Sequence, residues 1–221
     1  MTHNLASSET TLTRYKLHGP EHLLDIDYLE LLLKRTVRKD PRSLARNLLA
    51  QFGGIAETLN ASRSTLRKAR VSNSTIDDLL LLQALPERVL RGAIDNRQIL
   101  STQREVLEYC RAAMAFKAIE NSRILFLSSK HHLIADELQH TGTINHVVIY
   151  PRQVMLRALE LNAKAILLVH NHPSGDPTPS RSDIDMTLVL KSAGALLNID
   201  VVDHLIVGKE GYSSMRELRL L

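Results

Sequence analysis

Tryptophan is absent from this 221-residue chain, cysteine occurs once, and aromatic residues make up only 4% of it. A single thiol, Cys110, excludes an intrachain disulfide and any cluster of thiolate metal ligands. Its setting, Glu-Tyr-Cys-Arg-Ala-Ala-Met on a helical pattern, marks a small core or interface residue rather than a nucleophile. So few aromatics leave little material on which single-stranded bases can stack. No apolar run approaches the roughly 20 residues of a membrane-spanning helix. The segment Met1 to Glu9 has neither the basic nor the apolar part of a signal peptide, so a cytoplasmic protein is expected. Internal repeats and low-complexity tracts are missing too.

What is present is ordinary for a globular protein: 44% hydrophobic and 24% charged residues, enough for one sizeable core or two small ones. The net charge of +4 is unevenly placed. Residues 1–98 hold 15 Lys and Arg against 11 Asp and Glu, whereas 99–221 balance at 13 each. Lys34, Arg35, Arg38, Lys39, Arg42 and Arg46 form one basic cluster; Arg63, Arg67, Lys68 and Arg70 form another. Each reads either as a solvated helix face or as a contact to nucleic-acid phosphates.

Residues 1–12, polar and without periodicity, are expected to be a disordered tail. Helical spacing of apolar residues predicts helices over 23–33, 41–52, 75–85 and 86–94. Pro41 and Pro86 suit first helical turns, and Gly53-Gly54 suits a stop. These give a small all-α domain over 13–98. A helix over 101–117, with Thr102 and Glu105 at capping-box spacing, opens a second domain over 99–221. Strands are expected at 122–128, 132–138 and 145–150, then a helix from Pro151 to Asn162, an apolar strand ending at His170, a further helix, and a strand over 199–207. The fold class is α+β.

The densest chemistry lies in His170-Asn-His-Pro-Ser-Gly-Asp-Pro-Thr-Pro-Ser-Arg-Ser-Asp183. Side chains two apart on a strand share a face, so His170 and His172 converge while Asn171 faces away. The Pro/Gly-rich loop leads to Ser180 at the start of a helix, with Asp183 in its first turn. From there the Asp183 carboxylate can return as a third ligand and leave the fourth tetrahedral place to water, the arrangement of catalytic zinc. Two imidazoles and a carboxylate suit Zn2+. The competing reading is a capping box, in which Ser180 and Asp183 only satisfy helix amides. His131-His132 sits in a turn and is expected to be exposed. Asp203-His204, late in a strand, is a candidate to hydrogen-bond a metal ligand from behind.

His170-x-His172, seven residues, Ser180, two residues, Asp183 resembles the JAMM motif of MPN-domain metalloproteases, and HNHPSGDPTPSRSDID is similar to the RadC family in particular. YPRQVMLRALELNAKAILLVHNHPSG, Gly142-Thr143, and VVDHLIVG with Tyr212-Ser213 agree with it. The resemblance covers residues 100–221 closely and the N-terminal part loosely. It implies an MPN/JAMM-like, cytidine-deaminase-like domain with a mixed sheet flanked by helices, behind a small all-α domain. It further implies zinc held by His170, His172 and Asp183, Ser180 as the oxyanion donor, and an upstream glutamate as general base in the hydrolysis of an amide, peptide or isopeptide bond. Glu120, before an apolar strand, fits the glutamate's place best, and Glu137 is its rival. DNA repair or recombination through nucleic-acid contact is the alternative function that the family's name implies. RadC-like chains carry a helix-hairpin-helix segment whose glycines admit phosphate to backbone amides. Here Arg70-Val-Ser-Asn-Ser-Thr-Ile76 has no glycine, and Asn73 is the candidate for a left-handed turn.

Overall fold

Among the described residues, every regular element before residue 115 is a helix and strands begin only after it. A computed structural model describes residues 10–94, 103–141 and 149–221. The chain divides into two compact units, Met1–Ala84 and Leu85–Leu221.

The first unit contains α1 (Thr11–His18), a 3-10 turn (Pro20–His22), α2 (Asp25–Leu33), α3 (Pro41–Phe52), α4 (Ile55–Leu59), α5 (Arg63–Lys68) and the start of α6 (Asn73–Ile94). The end of the expected tail is in fact ordered. Thr10 caps α1 by accepting from the Thr13 amide, and the buried Thr11 hydroxyl donates to Glu30 at 2.8 Å. Residues 1–9 lie outside the described residues. α3 starts and stops where expected, with the Asp40 side chain capping the Ser43 amide, Pro41 in the first turn and Gly53 left-handed at φ 97°. Leu29, Leu33, Leu48, Leu66, Ile76 and Leu79 fill the core of this unit.

Two expectations fail here. Pro86 does not open a helix; it lies inside α6. Proline cannot donate to the carbonyl one turn back, a local loss accepted because Leu90 and Ile94 beyond it pack into the core of the second unit. That packing also places the division near residue 85 rather than at 98. The left-handed residue between α5 and α6 is Arg70 (φ 59°), not Asn73, which begins α6. Much of the basic excess is occupied by the unit's own acids. Arg42 reaches Asp27 (2.8 Å) and Glu30 (2.6 Å), Lys34 reaches Glu30 (2.9 Å), Arg35 reaches Asp78 (3.5 Å), and Arg63 pairs with Asp77. Burial opposes ionisation of Asp27, yet the Arg42 bond, the Leu24 amide and Arg14 together hold its pKa below the usual carboxylate range.

The second unit adds α7 (Gln103–Met114), β1 (Asn121–Leu127), β2 (Leu133–Thr141), α8 (Pro151–Glu160), β3 (Ala165–Asn171), α9 (Arg181–Leu196), β4 (Asp200–Val207) and β5 (Tyr212–Ser214). The proposed Thr102 cap, Gly142-Thr143 and the expected strand at 145–148 lie outside the described residues; Ile149 and Tyr150 lead into α8 instead of forming strand. The sheet order is β2-β1-β3-β4-β5, with β3 and β4 parallel and the other pairs antiparallel. β3 is buried at all seven positions, as a strand covered on both faces must be. Alternate residues serve opposite cores. Leu167 and Val169 pack with Val106, Tyr109, Cys110 and Met114 of α7. Ile166 and Leu168 pack with Val154, Met155 and Ala158 of α8 and Leu190 of α9. The result is a mixed sheet between helices, an α+β domain of the expected kind. Cys110 is wholly buried and its thiol is pushed up to about 12 by desolvation, so it is inert.

Candidate metal centre

β3 carries His170 at its buried end, and His172 follows one residue beyond the strand. The His172 amide donates to the Val207 carbonyl at 3.0 Å, which extends the β3–β4 pairing past the strand and fixes the second histidine. The loop then turns at Gly175 (φ 100°), a conformation that an L side chain rarely adopts. Gly208 at the end of β4 passes so close that a Cβ there would lie 2.0 Å from the Gly175 carbonyl oxygen. Both glycines are therefore required for the loop to lie against the sheet.

The Ser180 side chain caps α9, and the capping box is complete: Ser180 Oγ accepts from the Asp183 amide, and the Asp183 carboxylate accepts from the Ser180 amide at 2.7 Å and from its hydroxyl at 2.5 Å. The same carboxylate faces the histidines, with Oδ1 3.5 Å from His170 Nε2 and Oδ2 3.7 Å from His172 Nε2. Capping and convergence thus coexist. One nitrogen from each histidine and one carboxylate oxygen lie within 4.8 Å of one another.

Proton bookkeeping shows what those nitrogens offer. The Thr187 hydroxyl donates to the Asp183 carbonyl at 2.6 Å, because a carbonyl only accepts. His204 Nδ1, 2.7 Å from the same hydroxyl oxygen, must then supply its own proton. His204 is fully buried, and desolvation holds its pKa well below normal, so it is neutral and its Nε2 is an acceptor. That acceptor lies 2.7 Å from His170 Nδ1, which therefore carries the His170 proton. On the other side His172 Nδ1 donates to the Asp176 carbonyl at 2.8 Å. Both Nε2 lone pairs are consequently left facing each other across 2.9 Å, beside a carboxylate. Such an arrangement repels unless a cation or a proton sits in it.

The titration directions agree. Burial lowers the His170 pKa to about 4, so this ring stays neutral. The Asp183 hydrogen bond raises that of His172 against an opposing desolvation, with the Asp176 carbonyl and the Glu120 charge adding to the rise. Desolvation opposes ionisation of Asp183 as well, but the His172 and Ser180 contacts outweigh it and hold the carboxyl far below its usual range. In the protein alone the raised His172 pKa favours a proton in the gap. Neutral imidazoles oriented by hydrogen bonds on their far nitrogens, next to an ionised carboxylate, are also what a zinc ion requires. The donor set fits the metal.

The two glutamates are separated clearly. β1 and β3 pair Ser122 with His170, Glu120 lies two residues before Ser122, and its charge acts on His172. Glu137 lies on β2 opposite Ile124 and is bound by Arg157 of α8 through three bonds of 2.7–3.1 Å. His131 lies in a turn (φ 56°) and His132 is exposed, away from the cluster.

Three residues escaped the sequence reading. Thr187 lies one helical turn beyond Asp183, and its i+4 spacing was the available signal. Ser122, whose buried hydroxyl has no hydrogen-bond partner among the described residues, lies opposite His170; only strand pairing reveals it. Asn171, set aside as facing away, makes the contacts taken up below. A protein-family model described as RadC-like JAB domain matches residues 100–220, the span that holds the whole sheet and the histidine–aspartate cluster. With more than half its length matched in this way, the chain belongs to the RadC family.

Proposed function

We propose that this protein is a zinc-dependent hydrolase of an amide, peptide or isopeptide bond. The observation that carries this reading is the pair of imidazole Nε2 atoms facing each other beside Asp183, with the Nδ1 protons committed to His204 and Asp176. His170, His172 and Asp183 would hold the ion. Zinc bound there supplies Lewis acidity and lowers the pKa of a water from 15.7 to about 7.

The remaining work falls to the protein. Glu120, whose charge acts on His172, takes the proton of the attacking water and returns it to the leaving amine. Ser180 swings its O–H from Asp183 to the oxyanion that forms on the substrate carbonyl. Glu137 is unsuited to the proton transfer because Arg157 occupies both of its oxygens. Asp183 keeps its charge throughout, since the site holds its pKa so low.

A library of peptide, isopeptide and small amide substrates, offered to the wild-type protein and to Glu120→Gln at equal zinc content, tests the assignment. Cleavage should fall by about 10² to 10⁴ in the variant, the usual worth of a general acid–base. Ser180→Ala should cost about 10² to 10³. A wild-type protein that holds zinc and cleaves a member of the library, with Glu120→Gln equally fast, removes Glu120 from the mechanism.

A further inference from the structure

Asn171, between the two histidines, is wholly buried and points to the opposite face of the sheet. Every side-chain hydrogen bond recorded for it goes to the segment that leads into β1. Its Oδ1 accepts from the Asn121 amide at 2.8 Å, and its Nδ2 donates to the carbonyls of Ile119 (3.2 Å) and Lys117 (3.3 Å). Asn121 adds a bond from its own Nδ2 to the Ile119 carbonyl at 2.7 Å. Residues 115–120 lie between α7 and β1 and have no ladder of their own. The regular β1–β3 pairing begins at Ser122; Asn121 is paired with Thr141 of β2 on its other side, and the Asn171 contacts tie Asn121 and the residues before it to β3. Glu120 lies inside the clasp, between the Ile119 carbonyl and the Asn121 amide.

We infer that Asn171 is the positioning residue of the general base: from within the metal-binding motif it fixes the backbone on both sides of Glu120 and so sets the distance between that carboxylate and the metal site. The inference rests on the proposed hydrolase reading for its purpose, and on geometry alone for its contacts. An amide is the side chain that suits the place. It offers one acceptor to an N–H and two donors to carbonyls in a single plane. Aspartate keeps the acceptor and loses both donors, whereas alanine or leucine leaves the Asn121 amide and the Lys117 carbonyl to find other partners and the Ile119 carbonyl with its bond from the Asn121 side chain. The result is a short mechanical connection. The strand residue that separates two metal ligands also holds the base, so ligands and base move as one body.

The test compares wild type with Asn171→Ala, Asn171→Asp and, as a control for general loss of stability, Ser214→Ala, which removes a buried hydrogen bond to Asp203. Residue-resolved amide exchange on the metal-free full chain reads the clasp directly. In Asn171→Ala the Asn121 amide should exchange about tenfold faster or more relative to Leu125, the effect of one lost hydrogen bond on local opening. Asn171→Asp should keep Asn121 protected, and Ser214→Ala should leave the ratio unchanged. The catalytic consequence is read on cobalt-loaded protein by its visible absorption. Asn171→Ala should change the spectrum as Glu120→Gln does, and the double variant should add nothing to Glu120→Gln alone. An unchanged Asn121-to-Leu125 ratio in Asn171→Ala, or additive spectral changes, overturns the assignment. Should Asn171→Ala not fold, Asn171→Asp decides: its spectrum must move toward that of Glu120→Gln while Asn121 stays protected. A wild-type protein that takes up no cobalt instead overturns the hydrolase reading, and the exchange ratio still decides the clasp.

Discussion

His204 contributes no ligand, yet the orientation of His170 depends on it. Its neutral ring passes the hydrogen-bond polarity set by Thr187 to His170 Nδ1, leaving the His170 Nε2 lone pair for a metal. His204→Gln should therefore weaken zinc binding by about 10- to 100-fold, the usual cost of losing such a partner, as read by competition with a chromophoric chelator. Thr187→Val keeps the shape but leaves the His204 N–H without an acceptor, which should cost about 1–3 kcal/mol of stability in denaturant unfolding. The pH dependence has two limbs. His170 and His204 have pKa values lowered by burial, so the unfolded chain binds more protons below its histidine pKa of about 6.5 and stability falls as pH drops toward about 4. His172 is shifted upward. Its contribution is complete below about pH 6.5 and is lost as pH rises through its folded value. The histidines of the metal-free protein should thus contribute a maximum of stability near neutrality, and excess zinc should remove the alkaline limb by replacing the His172 proton. Melting temperatures measured across pH with and without zinc check both limbs.

At the scale of elements, the loop between β3 and α9 is set by its glycines. A methyl group on Gly208 meets the Gly175 carbonyl at 2.0 Å, backbone against backbone. Gly208→Ala should destabilise the protein by about 1–3 kcal/mol, as overpacking does, and should lower zinc affinity because His172 is anchored to Val207 beside it. Chemical denaturation and a zinc titration read the two effects separately. The convergence of His170, His172 and Asp183 was legible in the sequence. His170 and His172 share a face by strand parity, Ser180 is a cap by residue type, and Asp183 follows by helix spacing. What the sequence could not carry is whatever depends on a neighbouring strand. Ser122 acquires meaning only through its pairing with His170, and Asn171 only through the α7–β1 connection. Pro86 misled for a related reason. Its local rule is sound, but the packing of Leu90 and Ile94 outweighs it.

For the whole molecule, the candidate metal centre belongs to one compact unit. His170, His172, Asp183, Thr187 and His204 all lie within Leu85–Leu221. A chain restricted to residues 85–221 should therefore fold and keep its zinc, which circular dichroism and metal analysis decide together. In the helical unit, pairing of Arg42, Lys34, Arg35 and Arg63 with nearby acids leaves fewer cations for phosphate than the composition implied. No helix among the described residues is long and apolar enough to cross a membrane. The central claim is that three side chains enclose one zinc ion, and its most direct measurement is the metal content of protein purified without chelators. Wild type and Glu120→Gln should each carry about one zinc per chain, and His172→Ala and Asp183→Ala should carry almost none. Wild type without zinc even after incubation with the metal, or Asp183→Ala with as much zinc as wild type, contradicts it.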